Sequence, residues 1–526
     1  MSDGQTPYDK IIYPEGAYLV AHPDRMATIA LLMGMKPPPL ATARILELGT
    51  GTGGHLIPIA YQLPGSTCVG VDYAQAQIRI ANDTVEAVGL TNITFHALDF
   101  MDLPDDIGEF DYIIAHGIFS WVPDPVRKRM LEIIRDHMVP NGVAYLSYNT
   151  YPGWRMLQIA GDIMRYRVRG IEDPWERARV AREVIGQLAD LPAHTNVEGM
   201  WTRFMGTYHE VMSTLRDYLE IKDDHVLLHD DLEDTSRPFY FWEIRELLEA
   251  HDLTYLADAN FTANLMVALQ PDEQQWVKSV ARDFDETEQY LDFVRNRTFR
   301  TSLIVRADAE FTRSITPLPI ANFSIFSNLR RTDPQPEDIP DDAVHFHAAD
   351  GNGFVTEDRL IIAALDIVHE NRGNPLRFRD LVRRARERMY AYMIPDTTLD
   401  EDASKLAQTL LQFYSRSPNM VDFLLAEPAY VTTLSERPIA SVYARYQAIS
   451  SHMVTNQRQN RVQLGPNARA LISMLDGTND RPALIDGLRR LTLKPEGVSD
   501  SEHAAKMADE VDRLMNQFRE SALLVG

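Results

Sequence analysis

The chain has 526 residues, a formal net charge of −24 and an apolar content of 45%. Its length predicts more than one domain, and its apolar content is sufficient for buried cores. The negative charge repels the phosphate backbones of nucleic acids and attracts basic protein segments. No nucleic-acid partner is therefore predicted.

Cysteine usage and the N-terminal residues predict a cytoplasmic protein. The single cysteine, Cys68, allows no internal disulfide, as is usual in a reducing compartment. Within an apolar strand pattern it is expected to be a small buried hydrophobe. The first residues lack a basic, apolar signal sequence. No run of about 18 apolar residues is present, so no membrane span is predicted.

The first strand pattern leads into a glycine-rich turn. After a predicted helix over Asp24–Met33, the turn has the form E-x-G-x-G-x-G, made by Glu47, Gly49, Gly51 and Gly53. Glycine accepts positive φ and lets a ligand approach the backbone. A strand, a glycine turn and a helix commonly hold a nucleotide cofactor. Taken alone, the pattern is also compatible with a simple tight turn.

Four more strand patterns follow, separated by amphipathic helical stripes. The strands are Cys68–Asp72, Asn92–Phe100, Phe110–His116 and Gly142–Tyr148. Strands that alternate with helices pair in parallel and carry helices on both faces of the sheet. The order of signals resembles the seven-stranded class I methyltransferases, so an α/β Rossmann-like sheet is predicted.

Acidic residues follow the second and third strands, which fits S-adenosylmethionine better than a dinucleotide. Asp72 is expected to accept both ribose hydroxyls, and Asp99 the adenine amino group, with Phe100 stacking nearby. Carbonyls near Gly49 and His116 can accept from the cofactor ammonium. The remaining predicted cofactor residues are Glu47, Thr50, Gly51, Gly53 and Tyr73. The alternative for both aspartates is a structural cap at a strand end.

After the fifth strand the apolar residues recur with the spacing of helices, and strand patterns return later in the chain. Residues 155–230 are predicted to be a helical insertion. A strand at Leu253–Ala257, a long helix at Glu273–Arg297 and an antiparallel seventh strand at Phe299–Arg306 then complete the sheet. The methyltransferase core is therefore predicted to span residues 1–154 and 231–308.

Residues 309–342 are predicted to be a linker, because their second half is rich in proline and acidic residues. Residues 343–526 are predicted to form a mainly helical, winged-helix-like domain. Five arginines lie in its second helix, Phe378–Tyr390, and Arg377 directly precedes it. They could mark a DNA-recognition helix, but interspersed acids and the overall acidity favour a solvated face or a protein contact.

Specific motifs carry a closer resemblance that covers nearly the whole chain. The motifs are Tyr8–Tyr13, His22–Asp24, His116–Pro123, Ser147–Trp154, His229–Leu232, Tyr290–Arg297 and Leu475–Gly477. They resemble a bacterial group in which a class I core precedes a methyltransferase regulatory domain. Its best-known members are the rickettsial outer-membrane-protein lysine methyltransferases. Thr50 departs from the group, where cysteine is frequent. The resemblance implies a cofactor core, a helical insertion and a C-terminal domain that holds the substrate.

Six residues are candidates for the acceptor side of the site, because aromatic rings and carbonyls suit an ammonium group. They are Tyr13, His116, Trp121, Tyr148, Asn149 and Trp154. Each could instead pack beneath the cofactor, and His116 could be a strand-end histidine rather than a proton acceptor. No cysteine and histidine spacing typical of a metal site is present, so no metal is predicted.

Three functions remain open from the sequence. The first is methyl transfer from S-adenosylmethionine to lysine side chains of a protein. The second is N- or O-methylation of a small molecule in a biosynthetic pathway. The third is a non-catalytic protein that senses the cofactor, which the intact glycine turn, Asp72 and Asp99 argue against. The large C-terminal domain favours a macromolecular acceptor.

Overall fold

The structure is a computed structural model. It describes residues 11–13, 16–192, 199–233, 235–336, 339–340, 342–348, 350–371, 374–390, 398–417, 419–494, 497 and 499–526. We call the residues before Arg44, where the first strand begins, the lead-in. Residues 8–10 of its Tyr8–Tyr13 motif lie outside these ranges.

A seven-stranded sheet forms the centre of the methyltransferase core. Its strands are β1 (Arg44–Leu48), β2 (Thr67–Asp72), β3 (Ile93–Ala97), β4 (Phe110–Ala115), β5 (Met138–Asn149), β6 (Leu253–Asp258) and β7 (Phe299–Arg306). They lie in the order β3-β2-β1-β4-β5-β7-β6. The first five strands pair in parallel, whereas β7 runs antiparallel to both β5 and β6. The predicted fold is confirmed.

Helices cover both faces of this sheet. In the first part of the chain they are α1 (Pro23–Leu32), α2 (Leu56–Gln62), α3 (Gln75–Val88) and α4 (Asp124–His137). Two separate apolar clusters result, one on each face, and alternate residues of β1 contribute to each: Ile45 to one, Leu46 and Leu48 to the other. Because the sheet is buried on both sides, its carboxyl edge is where side chains remain accessible.

A four-helix insertion follows β5 and has its own apolar cluster. Its helices are α5 (Trp154–Arg167), α6 (Pro174–Ala189), α7 (Met200–Glu220) and α8 (Asp224–Asp230). The chain leaves the sheet and returns to it at the same place. The Phe239 amide donates to Asn149, and the Tyr151 amide donates to Phe239. The insertion can therefore be added without displacing β6 or β7.

The second part of the core contains three helices, α9 (Phe241–Glu249), α10 (Pro271–Val280) and α11 (Phe284–Arg295). The prediction of one long helix over Glu273–Arg297 is wrong, because α10 and α11 are separate. The Asp283 side chain accepts from the amide of Glu286 and caps a new helix. A capping aspartate favours a helix start over continuation.

Residues beyond the sheet form a mixed unit that shares its core with the sheet. Its elements are β8 (Ser324–Ser327), β9 (Arg330–Arg331), β10 (Val344–His347), β11 (Gly353–Thr356), α12 (Arg359–Glu370), β12 (Leu376–Arg377), α13 (Phe378–Tyr390), α14 (Leu399–Arg416) and β13 (Val421–Leu424). Part of the segment predicted as a linker is therefore ordered. Ile320, Phe323 and Ile325 are buried in the same cluster as Met26 of α1, which apolar side chains at these positions favour.

Helix α1 also joins this unit through polar contacts. The Arg25 guanidinium lies 2.8 Å from the Asp422 carboxylate and donates to the Tyr414 hydroxyl, 2.5 Å away. Asp24 accepts from the amides of Leu425 and Ala426. The His22–Asp24 motif is therefore where the lead-in meets residues beyond 400.

The arginines of α13 are mostly ion-paired within the chain. Arg383 pairs with Asp380 and Glu387, Arg388 pairs with Glu370, and the buried Arg386 pairs with Asp402. These pairs reduce the positive charge that a DNA-recognition helix would present.

The last unit is a winged helix with an apolar cluster of its own. It comprises α15 (Val442–Ser450), β14 (Met453–Thr455), β15 (Arg461–Gln463), α16 (Pro466–Ser473), α17 (Arg481–Leu491) and α18 (Asp500–Glu520). The hairpin of β14 and β15 is the wing. Within the described ranges, no helix is long and apolar enough to cross a membrane.

Candidate active site

The carboxyl ends of β1, β2, β3 and β4 surround a cavity of about 450 Å³. This is the edge where ligands of parallel α/β sheets bind, and the volume lies within the range of about 300–1,000 Å³ usual for small-molecule pockets. Nine of the ten predicted cofactor residues line it: Glu47, Gly49, Thr50, Gly51, Asp72, Tyr73, Asp99, Phe100 and His116.

The glycine turn follows β1 directly and is fixed to the neighbouring strand. Gly49 and Gly51 have φ of 77° and 55°, the left-handed region that favours glycine. The Gly49 amide donates to the Val71 carbonyl of β2 at 2.8 Å. A Cβ on Gly49 would lie 2.6 Å from the Ile118 side chain, which also lines the cavity. The turn thus brings bare backbone to the cavity wall.

Gly53, the tenth predicted residue, is not part of the cavity wall. It is buried with a φ of 79°, and a Cβ there would lie 2.7 Å from Phe95 of β3 and 2.9 Å from Ile57 of α2. Its absent side chain allows α2 to pack closely on the sheet, which is the usual task of the last glycine in such turns.

Asp72 both shapes the turn and faces the cavity. One carboxylate oxygen accepts from the Gly51 amide and the other from the Ala74 amide, each at 2.9 Å. Asp99 accepts from the Met101 amide at 2.9 Å and caps a short 3-10 helix. The capping interpretation therefore describes real contacts of these aspartates, and both carboxylates still border the cavity.

Glu47 is the buried carboxyl group of the site. It is 3% exposed, and the Thr50 hydroxyl donates to it at 2.8 Å. Burial raises the pKa of Glu47 to about 8, and the nearby Asp72 carboxylate adds to the increase. A buried carboxyl group with a raised pKa is mostly protonated at pH 7, so it can donate one hydrogen bond to a ligand and accept another.

His116 lines the cavity and contacts two tyrosines. Its Nδ1 lies 2.9 Å from the Tyr145 hydroxyl, and its ring stacks on Tyr18 with centroids 3.8 Å apart. Burial lowers the pKa of His116 to about 4, so the ring is neutral at neutral pH. A neutral imidazole can accept a hydrogen bond from a ligand or donate one, depending on its tautomer.

Of the six predicted acceptor-side residues, three line the cavity and three do not. Tyr13, His116 and Trp121 line the cavity. Trp154 packs against Trp121 at 6.0 Å without lining it.

Tyr148 and Asn149 are buried on β5, and neither is among the lining residues. The Tyr148 hydroxyl pairs with Ser302 at 3.1 Å. Asn149 Nδ2 is buried and has no hydrogen-bond partner among the described residues. An acceptor role for these two stays a prediction.

The lining residues that were not predicted include Tyr18, His55, Gln77, His229 and Asp230. Two of them belong to the His229–Leu232 motif. His229 Nε2 lies 2.8 Å from the Ile11 carbonyl, and His225 Nδ1 lies 3.0 Å from the Ile12 carbonyl. A carbonyl only accepts, so both histidines donate and hold the lead-in on α8. The His229–Leu232 motif was the signal that could have identified His229 and Asp230. The sequence did not show, however, that the lead-in is its partner.

The wall fits S-adenosylmethionine by its own chemistry. Carboxylates, bare glycine backbone and a neutral imidazole can receive hydroxyl, amino and ammonium donors. Within the described part of the chain, no group of three or more His, Cys, Asp or Glu side chains could hold a metal ion.

Three family models match successive parts of the chain. Residues 45–142 match a methyltransferase domain, and residues 223–306 match a model described as "Predicted methyltransferase regulatory domain". Residues 436–523 match the "PKMT, C-terminal winged helix domain".

Two rickettsial proteins resemble the chain over nearly its full length. The uncharacterized protein RP789 of Rickettsia prowazekii is 31% identical over 99% of this chain and 94% of its own. The structure of PKMT2 from Rickettsia typhi, also solved in complex with AdoHcy, is 26% identical with a TM-score of 0.83. It covers 98% of this chain and 100% of its own.

A shorter match is the EEF1A lysine methyltransferase 2 of Danio rerio. It is 27% identical over 22% of this chain and 52% of its own length. These relatives, the three domain matches and the cavity agree with one another. The chain belongs to the family of class I S-adenosylmethionine-dependent methyltransferases that join a methyltransferase core to a regulatory domain and a C-terminal winged helix domain.

Proposed function

We propose that the chain transfers methyl groups to lysine side chains of a protein. The observation that carries this proposal is the full-length similarity to PKMT2, a protein named as a protein lysine methyltransferase. The model that matches residues 436–523 is also named for PKMT, and a eukaryotic lysine methyltransferase matches part of the chain.

The cofactor supplies a methyl group on a positively charged sulfur. The chain contributes positioning: in this proposal Asp72 and Asp99 bind the nucleoside and Glu47 and His116 bind the rest of the cofactor, and all four line the cavity. Holding the two reactants in line accounts for much of the acceleration in such transfers. We assign these residues to cofactor binding as part of the proposal.

The acceptor reaches the same cavity from the side lined by Tyr13, Tyr18 and Trp121. Aromatic faces stabilise an ammonium group by about 0.5–2 kcal/mol each, depending on how far it is desolvated. The same faces exclude water from the reacting groups. A lysine side chain is long enough to carry its amine into a cavity while the protein that bears it stays outside.

Residues beyond the sheet hold the acceptor protein in this proposal. With a chain charge of −24, basic segments of an acceptor are attracted over a long range. Turnover should therefore fall as salt screens the attraction, with a screening length of about 10 Å at 0.1 M.

The proposal is tested by incubating the protein with whole-cell extract and labelled S-adenosylmethionine. The expected result is label on proteins, with mass spectrometry locating added methyl groups on lysine ε-nitrogens. Label only on a small metabolite would support small-molecule methylation instead. Label only on nucleic acid would also contradict the proposal. Activity should survive chelators, as predicted for a site without a metal.

A further inference from the structure

The His229–Leu232 motif places a fourth carboxyl group in the cavity wall, on a helix rather than at the end of a strand. Asp230 follows His229 at the end of α8 and lines the cavity, whereas its neighbour Asp231 does not. The side chain of Asp230 is 22% exposed and that of Asp231 is 5% exposed. Asp230 is therefore the member of the pair that a ligand can reach.

The carboxylate pair already binds a primary ammonium. Lys222 Nζ lies 3.3 Å from Asp230 and 2.5 Å from Asp231. Two carboxylates share this one ammonium, and Asp230 makes the longer of the two contacts. A lysine from another protein presents the same head group as Lys222, so its chemistry matches this end of the cavity.

The lead-in places two tyrosine side chains, Tyr13 and Tyr18, near Asp230. The Tyr13 hydroxyl donates a hydrogen bond to the Asp230 carboxylate, and the Tyr13 ring lies 5.7 Å from that of His229. Tyr18 is close enough to both Asp230 and Glu47 that each carboxylate raises its pKa, after the larger effect of burial. Tyr18 thus lies near both the Glu47 carboxyl group and Asp230.

We propose that Asp230 is a catalytic residue that receives the ammonium group of the acceptor lysine and takes its proton. This inference rests on the proposed lysine acceptor. The N–H bond breaks, an O–H bond forms on Asp230, and the nitrogen keeps the electron pair. That pair bonds to the methyl carbon as the carbon–sulfur pair leaves with sulfur, and Asp230 returns its proton to water.

The surroundings of Asp230 suit a proton acceptor. Burial raises its pKa, while Lys222 opposes the increase. A carboxylate with a raised pKa is a stronger base than an exposed one and remains ionised when a cation is near. The charged and titratable groups around the pair are Lys222, Asp231, His225, His229, Glu233, Arg165, Arg182, Tyr13 and Tyr18.

The test compares Asp230→Asn with Asp231→Asn in the full-length protein. Both changes remove one carboxylate that pairs with Lys222, but only the first alters the cavity wall. With a lysine-containing peptide as acceptor, Asp230→Asn should lower kcat/KM by about 100-fold to 10,000-fold. AdoHcy affinity should stay within about two-fold of wild type, since loss of a charged contact would cost about ten-fold or more. Asp231→Asn should retain far more activity.

The pH profile separates a proton acceptor from a structural residue. Wild-type kcat/KM should rise on the acid side as Asp230 ionises. Asp230→Asn should lose that limb, and its defect should shrink toward pH 10, where free lysine becomes neutral without help (pKa about 10.4). Tyr13→Phe removes the hydroxyl that lowers the pKa of Asp230, so the acid limb should move to higher pH.

Four results would overturn the inference. Asp230→Asn could methylate the peptide within about three-fold of wild type, below the smallest effect expected of a general base. It could lose AdoHcy affinity by the same factor as activity, which would assign Asp230 to the ammonium of the cofactor. The acid limb could be unmoved in Tyr13→Phe. If the wild-type protein methylates no lysine at all, the proposed function fails and this inference fails with it.

Discussion

The two walls of the cavity are built in different ways. The cofactor wall consists of Glu47, Asp72, Asp99 and His116, which lie at or just beyond the carboxyl ends of four adjacent strands. The proposed acceptor wall consists of the lead-in, Trp121 and the end of α8. There the Ile11 carbonyl meets His229, a residue 218 positions away in the chain.

This difference separates two functions physically. Strand pairing alone places the cofactor wall, because parallel strands bring their carboxyl ends to one edge. The acceptor wall is complete only when the lead-in docks on α8. Substitutions in the first wall should therefore lower AdoHcy affinity, and substitutions in the second should lower use of the acceptor.

The largest effect is expected from Gly49→Ala in the cofactor wall. A positive φ costs a residue with a Cβ about 1–2 kcal/mol, and crowding against Ile118 adds about 1–3 kcal/mol. Chemical unfolding and AdoHcy calorimetry should both show a loss. Gly89→Ala is the matched control, because Gly89 has a φ of 76° and open space around its Cβ position. Equal AdoHcy affinities in the two variants would contradict the assignment of Gly49 to the wall.

Asp72→Ala should follow in size. Loss of a charged hydrogen bond to the ribose costs about 1.5–3 kcal/mol, which is roughly a 10-fold to 150-fold loss of AdoHcy affinity. The same change removes the acceptor of the Gly51 amide. Asp83→Ala, on the exposed side of α3, is the control and should bind normally. Unchanged calorimetry in Asp72→Ala would overturn its cofactor role.

A smaller and different effect is expected from Trp121→Ala in the acceptor wall. The acceptor KM should rise by about 2-fold to 30-fold through loss of a cation–π contact of about 0.5–2 kcal/mol. AdoHcy affinity should not change. Trp276→Ala is a suitable control, because Trp276 is also an aromatic partner, of Tyr290, but lies outside the cavity wall. A large loss of AdoHcy affinity in Trp121→Ala would show that the walls are not separable.

The smallest effect at neutral pH should come from Glu47→Gln. The pKa of Glu47 is raised to about 8, so at pH 7 the wild-type group is already mostly protonated and glutamine resembles it. Its contribution to stability is complete below the unfolded pKa of about 4.5 and is lost as pH rises through 8. The Tm of the variant minus that of wild type should therefore increase between pH 5 and 9. A constant difference would contradict this.

The cofactor wall was largely predictable because its signals are local. The glycine turn, Asp72 and Asp99 each follow a strand pattern, and short-range periodicity identifies such strands. Gly53 marks the limit of this reasoning. The spacing of Gly53 matches the motif. However, Phe95 and Ile57 approach it so closely that its missing side chain serves packing rather than the cavity wall.

The acceptor wall was predicted only in part, because its contacts are non-local. Tyr13 and Trp121 were identified as candidates, whereas Tyr148 and Asn149 lie within β5 and do not line the cavity. Asp230 belonged to a recognised motif with no assigned task. The break between α10 and α11 was also missed, although the Asp283 side chain caps the start of α11.

The sequence by itself determined the sheet, the glycine turn and the family, because hydrophobic period and glycine spacing act over a few residues. Only the tertiary structure decided which side chains face the cavity and how the lead-in closes it. It also decided that residues 320–325 share a core with α1 rather than forming a linker. Such contacts depend on chain segments hundreds of residues apart, and burial of apolar surface depends on three-dimensional proximity rather than on order along the chain.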